Sequence, residues 1–368
     1  MKTIGLIFFG DFHTDARCIN MVDTILNDEH QCWIIDINKS GGNEKYKNAD
    51  IFHIKLDKNY HHGVPKYLFF YFRARKIFCS LNADIIIAGN LYVLHLLRKL
   101  KKVRKIFDSR EIYSMGGAAL KTRPVKYHFW AYYEKLFIKN MHHVIVTASH
   151  DEEVINIKYP GIPTSIIYNY PPKYLLPKYN SQLRDKLNIS DSQKILLYQG
   201  VLHEGRYLKG MVNILKEMKK ITVVIIGNGY LKNSLYSYAK LNQVSDRFFI
   251  LDAVPYKALF SLTSGADLGW CIIEPLTESL KCALPNKLFE YALAGIPSVV
   301  SDLPEMSPIV NKYKLGKIVP TYNMEKQITA IKSLLNENMK DNLKKIAIQN
   351  FTWDVQSNKF LQIILGDN

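Results

Sequence analysis

Cysteine is scarce and unorganised in this chain. The five cysteines (Cys18, Cys32, Cys79, Cys271 and Cys282) are scattered and odd in number, with no CxxC pair and no Cys/His cluster. That argues against a disulfide framework and a structural zinc module, and for a reducing compartment. Long apolar runs are missing too. No stretch reaches the roughly 18 apolar residues needed to span a bilayer. The opening MKTIGLIFFGDF holds one lysine and a short apolar run, too little for the core of a secretion signal. Low-complexity tracts and short repeats are also absent. Together these absences predict a cytoplasmic protein, peripheral at the inner face of the cell membrane if it meets a membrane at all.

Acidic residues are in short supply. Against 49 Lys+Arg stand 33 Asp+Glu, a formal net charge of +16. The imbalance is concentrated: residues 66–143 hold 16 Lys/Arg and 4 Asp/Glu, hence +12. Within it, Lys66–Phe78, Leu94–Phe107 and Lys121–His143 interleave aromatics with cations. An anionic partner is expected, and an anionic membrane surface fits interfacial helices best. The alternative buries the aromatics in a core and leaves the cations solvated. Nucleic acid is not expected, since no recognised binding module appears. His13, His61, His62, His142, His143 and His203 have no ligand spacing with carboxylates, so no metal is expected.

What is present is a repeated alternation. At 368 residues and 48% apolar content the chain is long enough for two packed domains. Short apolar runs at Ile4–Phe9, Cys32–Asp36, Ile51–Ile54, Asp84–Ala88, Lys105–Asp108 and Val144–Thr147 predict strands. Helical patterns run over Ala16–Asn27, Tyr67–Ser80, Tyr92–Lys101 and Val125–Asn140. Ser165–Tyr168 is a further strand before Asn169-Tyr170-Pro171-Pro172 breaks the pattern. The rhythm restarts with strands at Ile195–Tyr198, Thr222–Ile226, Phe248–Leu251, Leu268–Cys271 and Ser298–Val300, and ends in an amphipathic helix near Trp353–Leu365. The expected fold is α/β, with two Rossmann-like parallel-sheet domains facing a cleft. The first covers residues 1–169 plus a returning helix at 351–368, and the second covers 170–350.

Ala283–Asp302, reading ALPNKLFEYALAGIPSVVSD, carries the sharpest signal. Pro285-Asn286 opens a helix that Gly295 and Pro297 stop. Lys287 and Glu290 lie one turn apart near its positive end. A lysine at a helix N-terminus suits a phosphate, and a carboxylate just inside suits sugar hydroxyls. The loop Gly200–Gly210 (GVLHEGRYLKG) adds Arg206 and Lys209, cations able to neutralise a diphosphate leaving group without a metal.

These segments, in this order, resemble the GT-B retaining glycosyltransferases of the large bacterial polysaccharide and capsule family. The resemblance runs through Gly10–Arg17, Phe107–Glu111, Ile167–Asn169, Tyr198–Gly200 with Gly205-Arg206, Gly227–Gly229, Ala266–Gly269 and Leu284–Gly295. It implies transfer of a sugar from a nucleotide-diphosphate donor to a glycan acceptor, lipid-linked, with retention and without a metal. Arg206, Lys287, Glu111 and Arg110 would serve catalysis. Gly10, Gly200, Lys209, Gly227, Asn286 and Glu290 would surround the donor. His13 and Arg17, in the first loop, would meet the acceptor. The chain departs from the family twice. Cys282 stands where many members have the first of two glutamates, with Glu274, Glu278 or backbone groups at Ala283–Pro285 as the substitutes, and Arg110 stands where many have histidine. A sugar-nucleotide 2-epimerase of related fold and a non-catalytic binding subunit are the alternative readings.

Overall fold

The computed structural model describes residues 1–56, 63–98, 100–110, 112, 124–178 and 180–366. The chain forms two compact units, Met1–Asn169 with Gln356–Asn368, and Tyr170–Val355. Each is built on one sheet.

The first unit's strands are β1 (Thr3–Ile7), β2 (Gln31–Ile37), β3 (Gly42–Tyr46), β4 (Ala49–Ile54), β5 (Ile85–Ala88), β6 (Arg104–Asp108), β7 (His143–Val146) and β8 (Thr164–Ile166). They lie in the order β3-β4-β2-β1-β5-β6-β7-β8. All neighbours are parallel except β3 and β4. The interior strands are continuous apolar runs because helices cover both faces of such a sheet. β5 (IIIA) is buried at every position. The helix Ala16–Asn27 begins where Asp15 accepts a hydrogen bond from the Cys18 amide at 2.9 Å. The chain reverses direction across the sheet between β1 and β5, so the loops after these strands form its topological switch point.

The final helix Ser357–Leu365 belongs to this first unit. Gln356 clamps the Tyr168 backbone, accepting from its N–H at 2.9 Å and donating to its carbonyl at 2.6 Å. Arg104 on β6 donates to the carbonyls of Ile363 and Ile364, both at 3.0 Å, closing the helix C-terminus.

The second unit holds β9 (Lys194–Gln199), β10 (Ile221–Ile226), β11 (Phe248–Leu251), β12 (Leu268–Cys271), β13 (Ser298–Ser301) and β14 (Gly316–Val319). Their order is β11-β10-β9-β12-β13-β14, all parallel. The core lies on both faces of this sheet: Leu196, Tyr198, Val223 and Trp270 on one, Leu197, Val224 and Tyr291 on the other. Here the switch point falls between β9 and β12.

The fold class read from the sequence is therefore correct: two parallel-sheet α/β units. Two local expectations change. Leu91–Leu97 is a 3-10 helix rather than an α-helix. β3 adds an antiparallel edge that the apolar pattern could not signal, because GNEKY is exposed along nearly its whole length. Among the described residues no helix is long and apolar enough to cross a membrane.

Candidate functional site

The second unit's switch point opens into a pocket of about 750 Å³, counting the solvent at its mouth. Its floor is the end of β9 and the residues after it, Tyr198–Val201, and its wall is Pro285–Lys287 with Glu290. His203, Arg206 and Leu259 complete it.

Glycine conformation lets the floor form. Gly200 has φ +129° and Gly227 φ +155°, values that other residues adopt only under strain. A Cβ on Gly227 would stand 1.9 Å from the Gly200 carbonyl oxygen. Gly227 thus acts by letting two strand ends pack together, while Gly200 itself lines the pocket. Tyr198, beneath the loop, donates its hydroxyl to the Val201 carbonyl at 2.9 Å.

The helix Asn286–Ala294 starts at the pocket, with Asn286 exposed at its first position. No side chain caps this end, so the positive end of its dipole is left uncompensated at the pocket wall. Lys287 follows, half-buried, with its ammonium 3.7 Å from the centre of the Tyr198 ring. Burial and the nearby Arg206 lower its pKa to about 7, against the opposing pull of Cys271 and Glu290. Arg206 donates Nε–H across the pocket rim to His203 Nε2 at 3.3 Å. Burial and Arg206 in turn hold His203 below its ordinary pKa, as a neutral acceptor. Two cations that repel each other, at an uncapped helix start, form a receptor for a compact anion.

Glu290 sits one turn further in, 6% exposed. Both carboxylate oxygens already hold protein donors: Gln199 Nε2 on Oε2, and the Tyr256 hydroxyl on Oε1 at 3.0 Å. Thr263 Oγ1 donates to Gln199 Oε1 at 2.7 Å, which orients that amide toward Glu290. Burial raises the Glu290 pKa despite these bonds. Each oxygen retains a lone pair for a second donor. Neither Gln199 nor Tyr256 was assigned a role from sequence. Tyr256 lies 34 residues away, beyond any periodic signal.

The structure sets Lys209 outside the pocket. Tyr207 takes a left-handed conformation, and the helix Leu208–Glu217 begins after it. Lys209 is thereby turned onto an exposed face, with its ammonium 5.4 Å from the Tyr238 ring. Glu274 does approach the Arg206 loop, accepting from the backbone N–H groups of Gly205 and Tyr207, each at 3.2 Å. Glu278 instead pairs with Lys281 at 2.6 Å on the surface. Cys282 closes the short helix Glu278–Lys281 and does not line the pocket.

In the first unit, Gly10 lies in the loop after β1 and accepts from the Ile37 amide at 2.9 Å. Arg17 does not reach an acceptor. It is 1% exposed, with its guanidinium bound to Asp108 at 2.7–3.0 Å and to the Ile167 carbonyl at 2.8 Å. A fork of donors buried among acceptors becomes a structural tie. Arg110 is similarly engaged, donating to Asp108 at 2.9 Å, to Asp15, and to Cys18 Sγ at 3.1 Å. Burial alone would raise the Asp108 pKa, but Arg17 and Arg110 outweigh it and hold the carboxyl below its usual range. Glu111 lies outside the described residues. His13 is exposed and bonded to Glu44.

Residues 180–350 match the family described as Glycosyl transferases group 1. No curated protein matches the chain. Several solved structures are similar over their whole length. Sucrose-phosphate synthase from Thermosynechococcus elongatus has 13% identity and a TM-score of 0.81, covering 100% of this chain and 99% of that one. HepE from Anabaena, in complex with UDP and glucose, has 13% identity and a TM-score of 0.73, covering 99% and 100%. WaaG, a glycosyltransferase involved in lipopolysaccharide biosynthesis, has 14% identity and a TM-score of 0.72, also covering 99% and 100%. At such identities the likeness establishes the fold, GT-B. Residues 180–350, which contain every residue lining the pocket, carry a Glycosyl transferases group 1 domain.

Proposed function

We propose that the chain is a retaining glycosyltransferase that moves a sugar from a nucleotide-diphosphate donor to a lipid-linked glycan acceptor in cell-surface polysaccharide synthesis. The observation that carries this reading is the Lys287 ammonium. It is held beside Arg206 at an uncapped helix start, with a depressed pKa and, among the described residues, no hydrogen-bond acceptor. A diphosphate supplies what the pocket lacks. Similar structures hold UDP-glucose and UDP-2-fluoro glucose, so UDP-sugars are the first donors to test.

Arg206 and Lys287 take the diphosphate, Asn286 and the helix N–H groups add donors, and Gly200 lets the backbone come close. Glu290 accepts ribose hydroxyls on its free lone pairs. In the transfer, the bond between the sugar's anomeric carbon and the phosphate oxygen breaks. A bond to the acceptor oxygen forms on the same face, and the acceptor's proton passes to the leaving phosphate. The protein positions the reactants and stabilises the departing charge. Two cations meet that charge, so no metal ion is required at the diphosphate.

The membrane partner rests on the first unit. Leu68 and Phe72 on the helix Gly63–Phe78, and Phe129, Tyr132 and Leu136 on the helix Pro124–Phe137, are exposed among basic residues. Apolar side chains set among cations suit an anionic lipid surface.

A thermal-shift screen with UDP-, GDP-, ADP- and CMP-sugars tests the donor. One class raises the melting temperature in proportion to ligand occupancy. Failure of all four classes overturns the proposal. Flotation with anionic vesicles tests the membrane contact, which predicts salt-sensitive binding.

A further inference from the structure

We infer that His13, Glu44 and His53 form a binding site for a late first-row divalent cation, Zn²⁺ in the first instance. The site lies wholly in the first unit and stands independently of the nucleotide pocket. One potential ligand atom from each residue lies within 4.8 Å of the others.

The topology explains the grouping. His53 on β4 is in register with Asp36 on the neighbouring parallel strand β2, so both side chains share a face. The antiparallel hairpin folds β3 back, setting Gly42 opposite His53 and Glu44 opposite Ile51. Glu44 is thus the diagonal neighbour of His53 on the same face. His13 arrives from the 3-10 turn Phe12–Thr14 after β1. Asp36 fixes this turn through Oδ2, which accepts from the Phe12 amide at 2.8 Å.

The buried histidine of the donor set has its outer-shell partner as well. His53 Nδ1 bonds Asp36 Oδ1 at 2.5 Å, so Nε2 is aimed at Glu44, 3.2 Å away. A buried carboxylate orienting a histidine whose other nitrogen binds the ion is a recurrent second-shell arrangement. His53 and Asp36 are buried, while the side chains of His13 and Glu44 are 44% and 43% exposed. Two imidazole nitrogens and one carboxylate oxygen suit Zn²⁺, with the open side left for water or an oxygen ligand. Tetrahedral Zn²⁺ needs its ligand atoms roughly 3.3 Å apart, as follows from bonds of roughly 2.0–2.1 Å. The His53–Glu44 separation already matches, and rotation of the exposed His13 ring is the remaining adjustment.

Charge also has to balance. Lys55, Arg73 and Lys76 line an adjoining pocket with His53 and oppose a cation. Asp36 and Glu44, with Asp11 near Asp36, offset them. A bound ion would clip the loop after β1 to the edge hairpin.

The test uses the full chain, stripped with chelator and titrated with Zn²⁺ by calorimetry in a non-coordinating buffer. Co²⁺ serves as a spectroscopic probe. The expected result is one equivalent of Zn²⁺, a rise in melting temperature, and strong visible Co²⁺ absorption from a four-coordinate site. His13→Gln and Glu44→Gln change exposed side chains and leave the fold intact. Each should weaken binding at least about tenfold and bleach the Co²⁺ bands. Asp36→Asn keeps all three ligands and should weaken binding by about 10–100-fold. No stoichiometric binding by the parent chain overturns the inference. So does equal binding by the parent and by both exposed-site variants, which would assign the ion to other histidines.

Discussion

The pocket's chemistry turns on whether Lys287 is charged, and this gives a quantitative test. With its pKa lowered to about 7 by burial and by Arg206, about half of the free protein at pH 7 lacks the charge. A bound diphosphate favours the ammonium and returns its pKa toward the ordinary ~10.4. Binding must therefore take up a proton. At pH 8 the uptake approaches roughly 0.9 proton, since only about a tenth of the free lysine is charged there. The dissociation constant then rises about fivefold from pH 7 to pH 8 and about ninefold from pH 8 to pH 9, roughly 50-fold in all.

The sign is opposite for folding. The unfolded chain holds the lysine proton up to ~10.4, while the folded chain releases it near 7. This residue's contribution to stability thus grows as pH rises from 7 toward 10, while nucleotide affinity falls. Few other groups move the two quantities in opposite directions. The assay is calorimetric titration with UDP at pH 8 in two buffers of different ionisation enthalpy, since the difference in apparent enthalpy counts the protons. UDP phosphates have already titrated at that pH and contribute little. Lys287→Met should abolish the buffer dependence, and Lys287→Arg should abolish it while keeping affinity, because guanidinium stays charged. Equal apparent enthalpies in both buffers for the parent protein would refute the argument.

Further outcomes follow from the same contacts. Arg206→Ala and Lys287→Ala should each lose roughly 2–4 kcal/mol of transition-state stabilisation in kcat/KM, in line with removal of a single charge-stabilising donor, and unaltered turnover in either refutes the assignment. Glu290→Ala should weaken UDP binding by about 2 kcal/mol, the scale of a hydrogen bond to a charged group. Tyr256→Phe, which removes one of the carboxylate's protein donors, should have a smaller effect. Arg17→Met leaves Asp108 buried with one cation fewer and should cost about 3 kcal/mol at pH 7 by chemical denaturation. The Asp108 pKa is lowered in the folded state, so its contribution exists above the unfolded carboxylate range and is lost as pH falls through the folded value. The penalty in Arg17→Met should accordingly hold down to the unfolded carboxylate value of ~3.9 and shrink as pH falls below it; a pH-independent penalty would point to lost packing instead.

What the sequence revealed, and what it hid, follows from the range of the interactions. Interior parallel strands are apolar throughout and helices have their own period, so the α/β alternation was legible from short windows. The helix Asn286–Ala294 was legible for the same reason, because its proline start and glycine stop are local. Arg17 shows the limit. In the sequence it reads as a cation beside an active-site loop, but a partner 91 residues away converts it into a buried tie. Glu290 shows it too: its position was visible, its two protein donors were not. The hairpin strand β3 shows the limit most clearly. Its five residues are polar and exposed, so no apolar pattern announces a strand there. Yet it is this strand that carries Glu44 to His13 and His53, residues 31 and 9 positions away along the chain. Hydrophobic periodicity reports what packs, and at this edge almost nothing packs. The chemistry of the edge is set by register alone: slipping the hairpin by one residue would turn Glu44 to the opposite face and dissolve the group.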